Sequence, residues 1–227
     1  MIIGFKKNFL FIHVPKCAGD SISELLLDPE NGGAQFLRKH ATFGDAERVM
    51  DGRISEFVAF AVVRNPFAQV ASFYDFLRKP LRIPRDSIER QYPGTGGRLL
   101  PVWASELAMQ LPFAEYIKAV YVHGALSEKP QGAWFFDFLS WLVAAEGAFA
   151  PVRVLRFERL SRDFAELAAE LGLTGVLPWR NASRQPGPAE DYRPRYDSDS
   201  RRILEAHFAP TLERFGYCFD LADGEAG

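Results

Sequence analysis

Residues 9–27 read FLFIHVPKCAGDSISELLL and change character twice along their length. The apolar, aromatic and β-branched run 9–14 stops at Pro15 and a glycine-containing loop, which predicts a buried strand that enters a turn. From residue 21 the apolar side chains recur at helical spacing, which predicts a helix over 21–27 with Asp20 or Ser21 as its N-cap. The stretch therefore predicts a strand, a loop and a helix in that order.

Two later stretches repeat this order. Residues 57–63, FVAFAVV, are apolar on both faces, as expected of a central strand covered by helices, and Pro66 suits the first turn of the helix that follows. Residues 152–157 predict a third strand, and 164–171 a helix that stops at Gly172. Strands that alternate with helices favour right-handed crossovers, so we predict an α/β fold, three-layer α/β/α with a mainly parallel central sheet.

The remaining segments complete the domain organisation. A chain of 227 residues fits one α/β domain, and we predict a single domain over 1–227. Residues 198–215 predict one more amphipathic helix, and 222–227 a loose tail. Residues 78–101 interrupt the pattern with prolines, glycines, six basic and two acidic residues. This basic loop is either a solvated surface loop or a lid over an anionic acceptor.

The overall charge argues against polyanionic partners. Lys and Arg total 27 against 29 Asp and Glu, for a net charge of −2, so nucleic acid and anionic membrane are not expected as partners and any anion site must be local. Cys17 and Cys218 match no metal spacing, and we predict free thiols and no metal. The apolar run before Pro15 is too short for a membrane span or a signal peptide, which favours a cytoplasmic protein. The sequence does not indicate the oligomeric state.

The loop at 14–21, VPKCAGDS, has the composition of an anion site. It places Lys16 and Gly19 between a strand and a helix start, where backbone N–H groups and the helix dipole favour phosphate or sulfate. In a Walker A loop the lysine follows the second glycine, whereas here it precedes Gly19, which disfavours an ordinary nucleoside triphosphatase. The alternative is a plain strand-to-helix turn with a solvated lysine.

A second candidate anion site follows the strand 57–63. Arg64 stands at the carboxyl end of this strand, and Ser72 lies two turns along the next helix. Ligands of open α/β sheets bind beyond the carboxyl ends of the strands, where both candidate sites are predicted. The alternative is a surface arginine and a neutral helix residue.

Together the two strings resemble the 3′-phosphoadenosine 5′-phosphosulfate (PAPS)-dependent sulfotransferases, in the branch that includes carbohydrate sulfotransferases and their bacterial relatives. Three further strings resemble later landmarks of that family in the same order: RFERL at 156–160, LPWRNAS at 177–183 and FGY at 215–217. The resemblance extends from Phe9 to about Phe219. It implies a P-loop-like sulfotransferase fold.

The resemblance also implies roles for individual residues. Lys16 would neutralise charge on the bridging oxygen as the phosphosulfate bond breaks, and His40, in the string KHAT at 39–42, would be the base that accepts the hydroxyl proton. The implied donor-binding residues are Lys16, Cys17, Ala18, Gly19, Asp20 and Ser21 for the 5′-phosphosulfate, Arg64 and Ser72 for the 3′-phosphate, and Asn181, Ser183, Arg184 and Tyr192 in a loop over the nucleotide.

Two residues depart from the family pattern. Asp20 stands where the family most often has threonine, and its carboxylate would repel a phosphosulfate if it faced the site. We predict instead that Asp20 caps the helix and points away from the donor. Phe157 stands where relatives can carry tyrosine; its ring either contacts adenine or belongs to the core.

The predicted function is direct, in-line transfer of a sulfuryl group from PAPS to a hydroxyl of an unidentified acceptor, with a carbohydrate or small molecule favoured. Adenosine 3′,5′-bisphosphate is the expected product, and no metal is required. Two alternatives remain open. One is a P-loop-like nucleotide kinase, and the other is a non-catalytic nucleotide-binding domain of the same fold.

Overall fold

The computed structural model describes residues 1–79, 102–121, 138–178 and 191–220. The chain forms two compact units. The first comprises 1–65, 137–190 and 216–227, and the second comprises 66–136 and 191–215.

All strands of the described residues lie in one sheet of the first unit. The strands are β1 (Ile2–Gly4), β2 (Phe9–Ile12), β3 (Gly33–Gln35), β4 (Val58–Val63) and β5 (Arg153–Arg156), in the spatial order β3-β1-β2-β4-β5. The pairs β2–β4 and β4–β5 are parallel, with Phe11 opposite Phe60 and Val63 opposite Arg156. β1 pairs antiparallel with both β2 and β3. The sheet is therefore mixed, with its three predicted strands forming the parallel part.

The helices are α1 (Gly19–Leu26), α2 (Phe43–Met50), α3 (Pro66–Leu77), α4 (Val102–Gln110), α5 (Phe113–Tyr121), α6 (Leu160–Leu171), α7 (Ser198–His207) and α8 (Ala209–Phe215). The α/β class is confirmed, and the architecture is consistent with a three-layer α/β/α fold. The helix beginning at Pro66 is confirmed, and α6 stops at Gly172 as predicted, although it begins four residues earlier than expected.

The prediction of one helix over 198–215 is wrong. α7 ends at His207 and α8 begins at Ala209, with Phe208 between them. Pro210 explains the break, because it has no N–H to donate and its ring clashes with the carbonyl four residues earlier. Its fixed φ is accepted in the first turn of a new helix.

The core of the first unit is built on the strands. Phe9, Phe11 and Phe60 are fully buried, and the rings of Phe11 and Phe60 lie 5.1 Å apart across the parallel pair. Gly4 in β1 lies against the Phe9 ring, and any side chain there would overlap with it. The hairpin of β1 and β2 therefore requires glycine at this position.

The second unit, as far as it is described, is helical with an aromatic core. Tyr74 of α3 packs edge-on against Phe113 of α5 at 5.2 Å, and Tyr196 packs on Phe113 at 4.8 Å. Arg195 lies 4.5 Å above the Phe113 ring and donates two hydrogen bonds to Asp75, at 2.8 and 2.9 Å. Of the predicted basic loop 78–101, only Arg78 and Lys79 belong to the described residues. Among the described helices, none combines the length and apolar composition that crossing a bilayer would need.

A fully buried asparagine ties three loops of the first unit together. Asn31 Nδ2 donates to the carbonyls of Leu25 and Thr174, at 2.8 and 2.9 Å. Its Oδ1 accepts from the Thr174 N–H at 2.8 Å and from Lys7 Nζ at 3.1 Å. Buried polar groups are stabilising only when they are paired, and here one side chain pairs several of them.

We expect Asn31→Ala to lower the free energy of unfolding by about 3 kcal/mol, because it removes the three hydrogen bonds that this fully buried side chain makes to the backbone of Leu25 and Thr174. Urea unfolding followed by circular dichroism measures the change. Ser55→Ala, which removes only an exposed hydrogen bond to the Gly52 carbonyl, is the matched control and should cost less than about 0.5 kcal/mol. Equal effects of the two substitutions would contradict the role of Asn31.

Candidate functional site

The loop between β2 and α1 has a strained backbone. Lys16 has φ of 64° and Ala18 has φ of 57°, so two side-chain-bearing residues adopt the left-handed conformation on either side of Cys17. Such conformations cost energy in non-glycine residues and are concentrated at functional sites. Left-handed residues next to right-handed ones also turn successive N–H groups toward one point, which creates a concave anion-binding surface.

α1 begins earlier than predicted, so the capping prediction for Asp20 and Ser21 is wrong. Ala18 is the N-cap and makes no side-chain capping bond, because its left-handed backbone already starts the helix at Gly19. Asp20 lies inside the first turn, and its carboxylate accepts a hydrogen bond from Lys39 Nζ at 2.5 Å. The Asp20 carboxylate, which was predicted to cap the helix, therefore forms an ion pair with Lys39, a residue outside the helix.

Gly19 allows β2 and α1 to approach closely. The His13 ring, which is 4% exposed, lies directly against Gly19, and a side chain at Gly19 would overlap with its Nε2. His13 Nε2 also lies 4.0 Å from Asp20 Oδ1. The position needs glycine because another residue's ring already fills the space of a Cβ atom.

His40 is held against His13 by its ring and by one ring nitrogen. The two imidazole rings pack edge-on at 4.7 Å, and His40 Nδ1 lies 3.0 Å from the His13 carbonyl oxygen. A carbonyl oxygen only accepts, so Nδ1 carries the proton and Nε2 is the basic nitrogen. The pKa of His40 is lowered to about 4, chiefly by burial and also by nearby Lys39, against a smaller opposing effect of the hydrogen bond to the His13 backbone. Burial and the neighbouring His40 also hold the pKa of His13 well below its usual range. At neutral pH His40 is therefore an uncharged acceptor.

Arg64 follows the end of β4 and extends to the strained loop. Its Nη1 donates to the carbonyl of Lys16 at 3.3 Å, and its Cζ lies 4.1 Å above the centre of the Phe157 ring. The side chain of Arg64 is therefore hydrogen-bonded to the backbone of Lys16, which links the two residues predicted to bind anions. Phe157, with Arg64 against its ring, is half-buried.

A buried polar network supports the end of β4. Glu158 Oε1 accepts from the backbone N–H of Asn65 at 2.7 Å, and its Oε2 accepts from the Tyr217 hydroxyl at 2.8 Å. Asn65 Nδ2 donates to the Cys218 carbonyl at 3.0 Å. Burial followed by the Glu158 charge raises the pKa of Tyr217, so this hydroxyl keeps its proton and remains a donor.

Not all predicted site residues lie together. Within the first unit the structure brings together Lys16, Cys17, Ala18, Gly19, Asp20, Ser21, His40 and Arg64. Cys17 is buried with its Sγ donating to the Pro15 carbonyl, so only its backbone can face a ligand, and burial raises the pKa of its thiol. Ser72 is half-buried on α3 in the second unit, where Tyr192 is buried and stacked on Phe67. Asn181, Ser183 and Arg184 lie outside the described residues. The binding and catalytic roles of all the predicted site residues stay predictions.

Sequence reasoning missed two residues of the site. His13 was treated only as part of a strand, although a histidine at the end of an apolar run, six residues before a glycine, was a visible signal. Glu158 lies within one of the family strings, and nothing in the sequence indicates that its carboxylate pairs with the amide of Asn65. In the ranges the structure describes, no group of three His, Cys, Asp or Glu side chains could hold a metal ion.

A strained loop after a parallel strand, with a lysine, an arginine and an uncharged histidine around it, makes this an α/β protein with a candidate anion-binding site. The model of the Sulfotransferase family matches residues 1–217 of this chain. The chain therefore belongs to the sulfotransferase family, and its activity class is sulfuryl transfer. Neither the curated proteins nor the solved structures yielded a match to the chain.

We expect the His40 ring to titrate with a midpoint near pH 4 rather than at the ordinary value of ~6.5. The unfolded chain takes up this proton first as the pH falls, so the contribution of His40 to stability is lost between about pH 6.5 and 4. NMR titration of the imidazole C–H signals measures the midpoint, and the spectrum of His40→Gln assigns the signal. A His40 midpoint near 6.5 would show that the ring is not desolvated.

Proposed function

We propose that the chain transfers a sulfuryl group from PAPS to a hydroxyl group of a carbohydrate or small-molecule acceptor. The observation that carries the proposal is the hydrogen bond from Arg64 Nη1 to the Lys16 carbonyl, at 3.3 Å. It joins the two residues that the family resemblance assigns to the 3′- and 5′-phosphate groups of one nucleotide. A donor with two separated phosphate groups fits this pair of cations.

The residues of the first unit fit the 5′-phosphosulfate group. The first-turn amides of α1 and the backbone of the strained loop supply N–H donors, and the helix dipole adds positive potential at the same end. Lys16 is half-buried, so its ammonium group adds a charge whose attraction for an anion is less screened than at the open surface. Arg64 would take the 3′-phosphate, because a planar guanidinium matches phosphate oxygens.

His40 fits the role of the general base. With its proton on Nδ1, it presents Nε2 to the acceptor hydroxyl, takes that proton and becomes an imidazolium ion. The acceptor oxygen forms a bond to sulfur while the bond between sulfur and the bridging phosphate oxygen breaks. Lys16 stabilises the negative charge that develops on this departing oxygen, and adenosine 3′,5′-bisphosphate leaves. The proton of the acceptor and the charge on the departing oxygen are therefore each assigned to one side chain.

Incubation of the protein with PAPS and a panel of hydroxyl-bearing sugars and phenols tests the proposal. Liquid chromatography with mass spectrometry should detect adenosine 3′,5′-bisphosphate together with an acceptor that has gained SO₃. A parallel incubation with ATP addresses the kinase alternative, which would instead yield a phosphorylated acceptor. Donor binding without transfer to any compound in a cell extract would support the non-catalytic alternative.

We expect Lys16→Met to lower kcat by about 10²- to 10³-fold, because the developing charge on the leaving oxygen loses its partner. Lys16→Arg keeps the charge and is the matched control, with a smaller loss.

His40→Asn should lower kcat by about 10²- to 10⁴-fold while binding the bisphosphate nearly as the unsubstituted chain does. Normal turnover by His40→Asn would assign the base to another residue.

Asp20 should oppose donor binding, because its carboxylate lies in the first turn of α1, where an anion is to bind. We expect Asp20→Thr to tighten binding of adenosine 3′,5′-bisphosphate by about 2- to 10-fold, since it removes the negative charge and releases Lys39 from its ion pair. Calorimetry measures the dissociation constant. Glu24→Gln, which removes an exposed charge one turn further along the same helix, is the control and should change it less. Weaker binding by Asp20→Thr would mean that the Asp20–Lys39 pair supports the site.

A further inference from the structure

The residues that follow β4 and β5, Arg64 and Phe157, lie side by side at the same edge of the sheet. The parallel register sets Val63 opposite Arg156, so Arg64 and Phe157 are the next residues along, just beyond the last paired positions. This explains why the guanidinium of Arg64 lies 4.1 Å above the centre of the Phe157 ring. The parallel register of the two strands thus makes Arg64 and Phe157 neighbours in space.

The ring face restricts where the arginine can go. An arginine side chain has several rotatable bonds and loses considerable conformational freedom when it is fixed. The face of an aromatic ring attracts a guanidinium by its quadrupole and gives a flat surface on which the planar group stacks. With the ring on one side and the Lys16 carbonyl at 3.3 Å from Nη1, the guanidinium plane is held by two different elements.

The backbone of the same segment is held by the next residue. Glu158 accepts from the N–H of Asn65 at 2.7 Å, and Tyr217 donates to Glu158 at 2.8 Å. Asn65 is almost fully buried, at 2% exposure. Phe157 and Glu158 therefore hold the side chain of Arg64 and the backbone that follows it, respectively.

We propose that Phe157 is a positioning residue for 3′-phosphate recognition, acting through the guanidinium that stacks on its ring. The inference rests on the proposed function, in which Arg64 binds the 3′-phosphate of the donor. Only the ring face is needed for this role, so tyrosine serves equally well, whereas an aliphatic side chain fills the space without holding the guanidinium. Phe157 then favours nucleotides that carry a 3′-phosphate, without touching the nucleotide itself.

Calorimetry on the full chain with adenosine 3′,5′-bisphosphate and adenosine 5′-phosphate tests the proposal. The measured quantity is the preference, the ratio of the two dissociation constants, for the unsubstituted chain, Phe157→Leu, Phe157→Met and Phe157→Tyr. We expect Leu and Met to reduce the preference by about 2- to 30-fold, the range that a cation–π contact supports, and Tyr to retain it. In an Arg64→Ala background, Phe157→Leu should reduce it no further.

The outcomes separate the two proposals. If the unsubstituted chain shows no preference for the bisphosphate, the assignment of a PAPS-type donor fails, and the role of Phe157 fails with it. If the preference exists and both Phe157→Leu and Phe157→Met keep it, the donor assignment stands and the role of Phe157 is overturned. Thermal unfolding identifies variants that have lost their fold. If a substitution weakens the binding of both nucleotides equally, the ratio of the dissociation constants is unchanged and the effect is a general structural defect. That result also overturns the role of Phe157.

Discussion

The His13 ring packed against Gly19 is the contact on which the site depends. Because no Cβ atom is present at Gly19, a buried imidazole at the end of β2 can lie directly against the first turn of α1. Between β2 and α1 the chain turns back onto this contact through residues 13–18, and Lys16 and Ala18 adopt the left-handed conformation within this loop. The same His13 residue accepts the hydrogen bond that orients His40. His13 therefore contacts both the start of α1, which follows the strained loop, and His40, the candidate base.

The strained loop is stable because its surroundings are rigid. A left-handed non-glycine residue costs about 1–2 kcal/mol, and this loop contains two. β2, which precedes the loop, is completely buried between neighbouring strands, and α1, which follows it, buries Ile22, Leu25 and Leu26. Burial of these side chains fixes both ends of the loop, and the hydrogen bond from Arg64 fixes the carbonyl of Lys16 between them.

The parts of the fold that could be predicted are those with a strong local pattern. β2 and β4 are uniform apolar or β-branched runs, and β5 has Val154 and Leu155 between two arginines. α3 and α6 have helical periodicity, with a proline at the start of α3 and a glycine at the end of α6. β1 and β3 were missed because three residues are too few to show alternation. The break at Phe208 was a different error, because Pro210 was visible in the sequence and was outweighed by the apolar periodicity around it.

The sequence by itself determined that β2 is followed by α1, β4 by α3 and β5 by α6, and it determined the residue types that a candidate anion site needs in the loop after β2. These features depend on neighbours along the chain. Tertiary structure alone decided how they are used. Asp20 was expected to cap a helix and pairs with Lys39, a residue from another segment. From the sequence, the Phe157 ring could either belong to the core or contact adenine, and the parallel register of β4 and β5 places it under Arg64. Burial and charge change the chemistry of a side chain according to what surrounds it in space, and residues far apart in the sequence provide those surroundings.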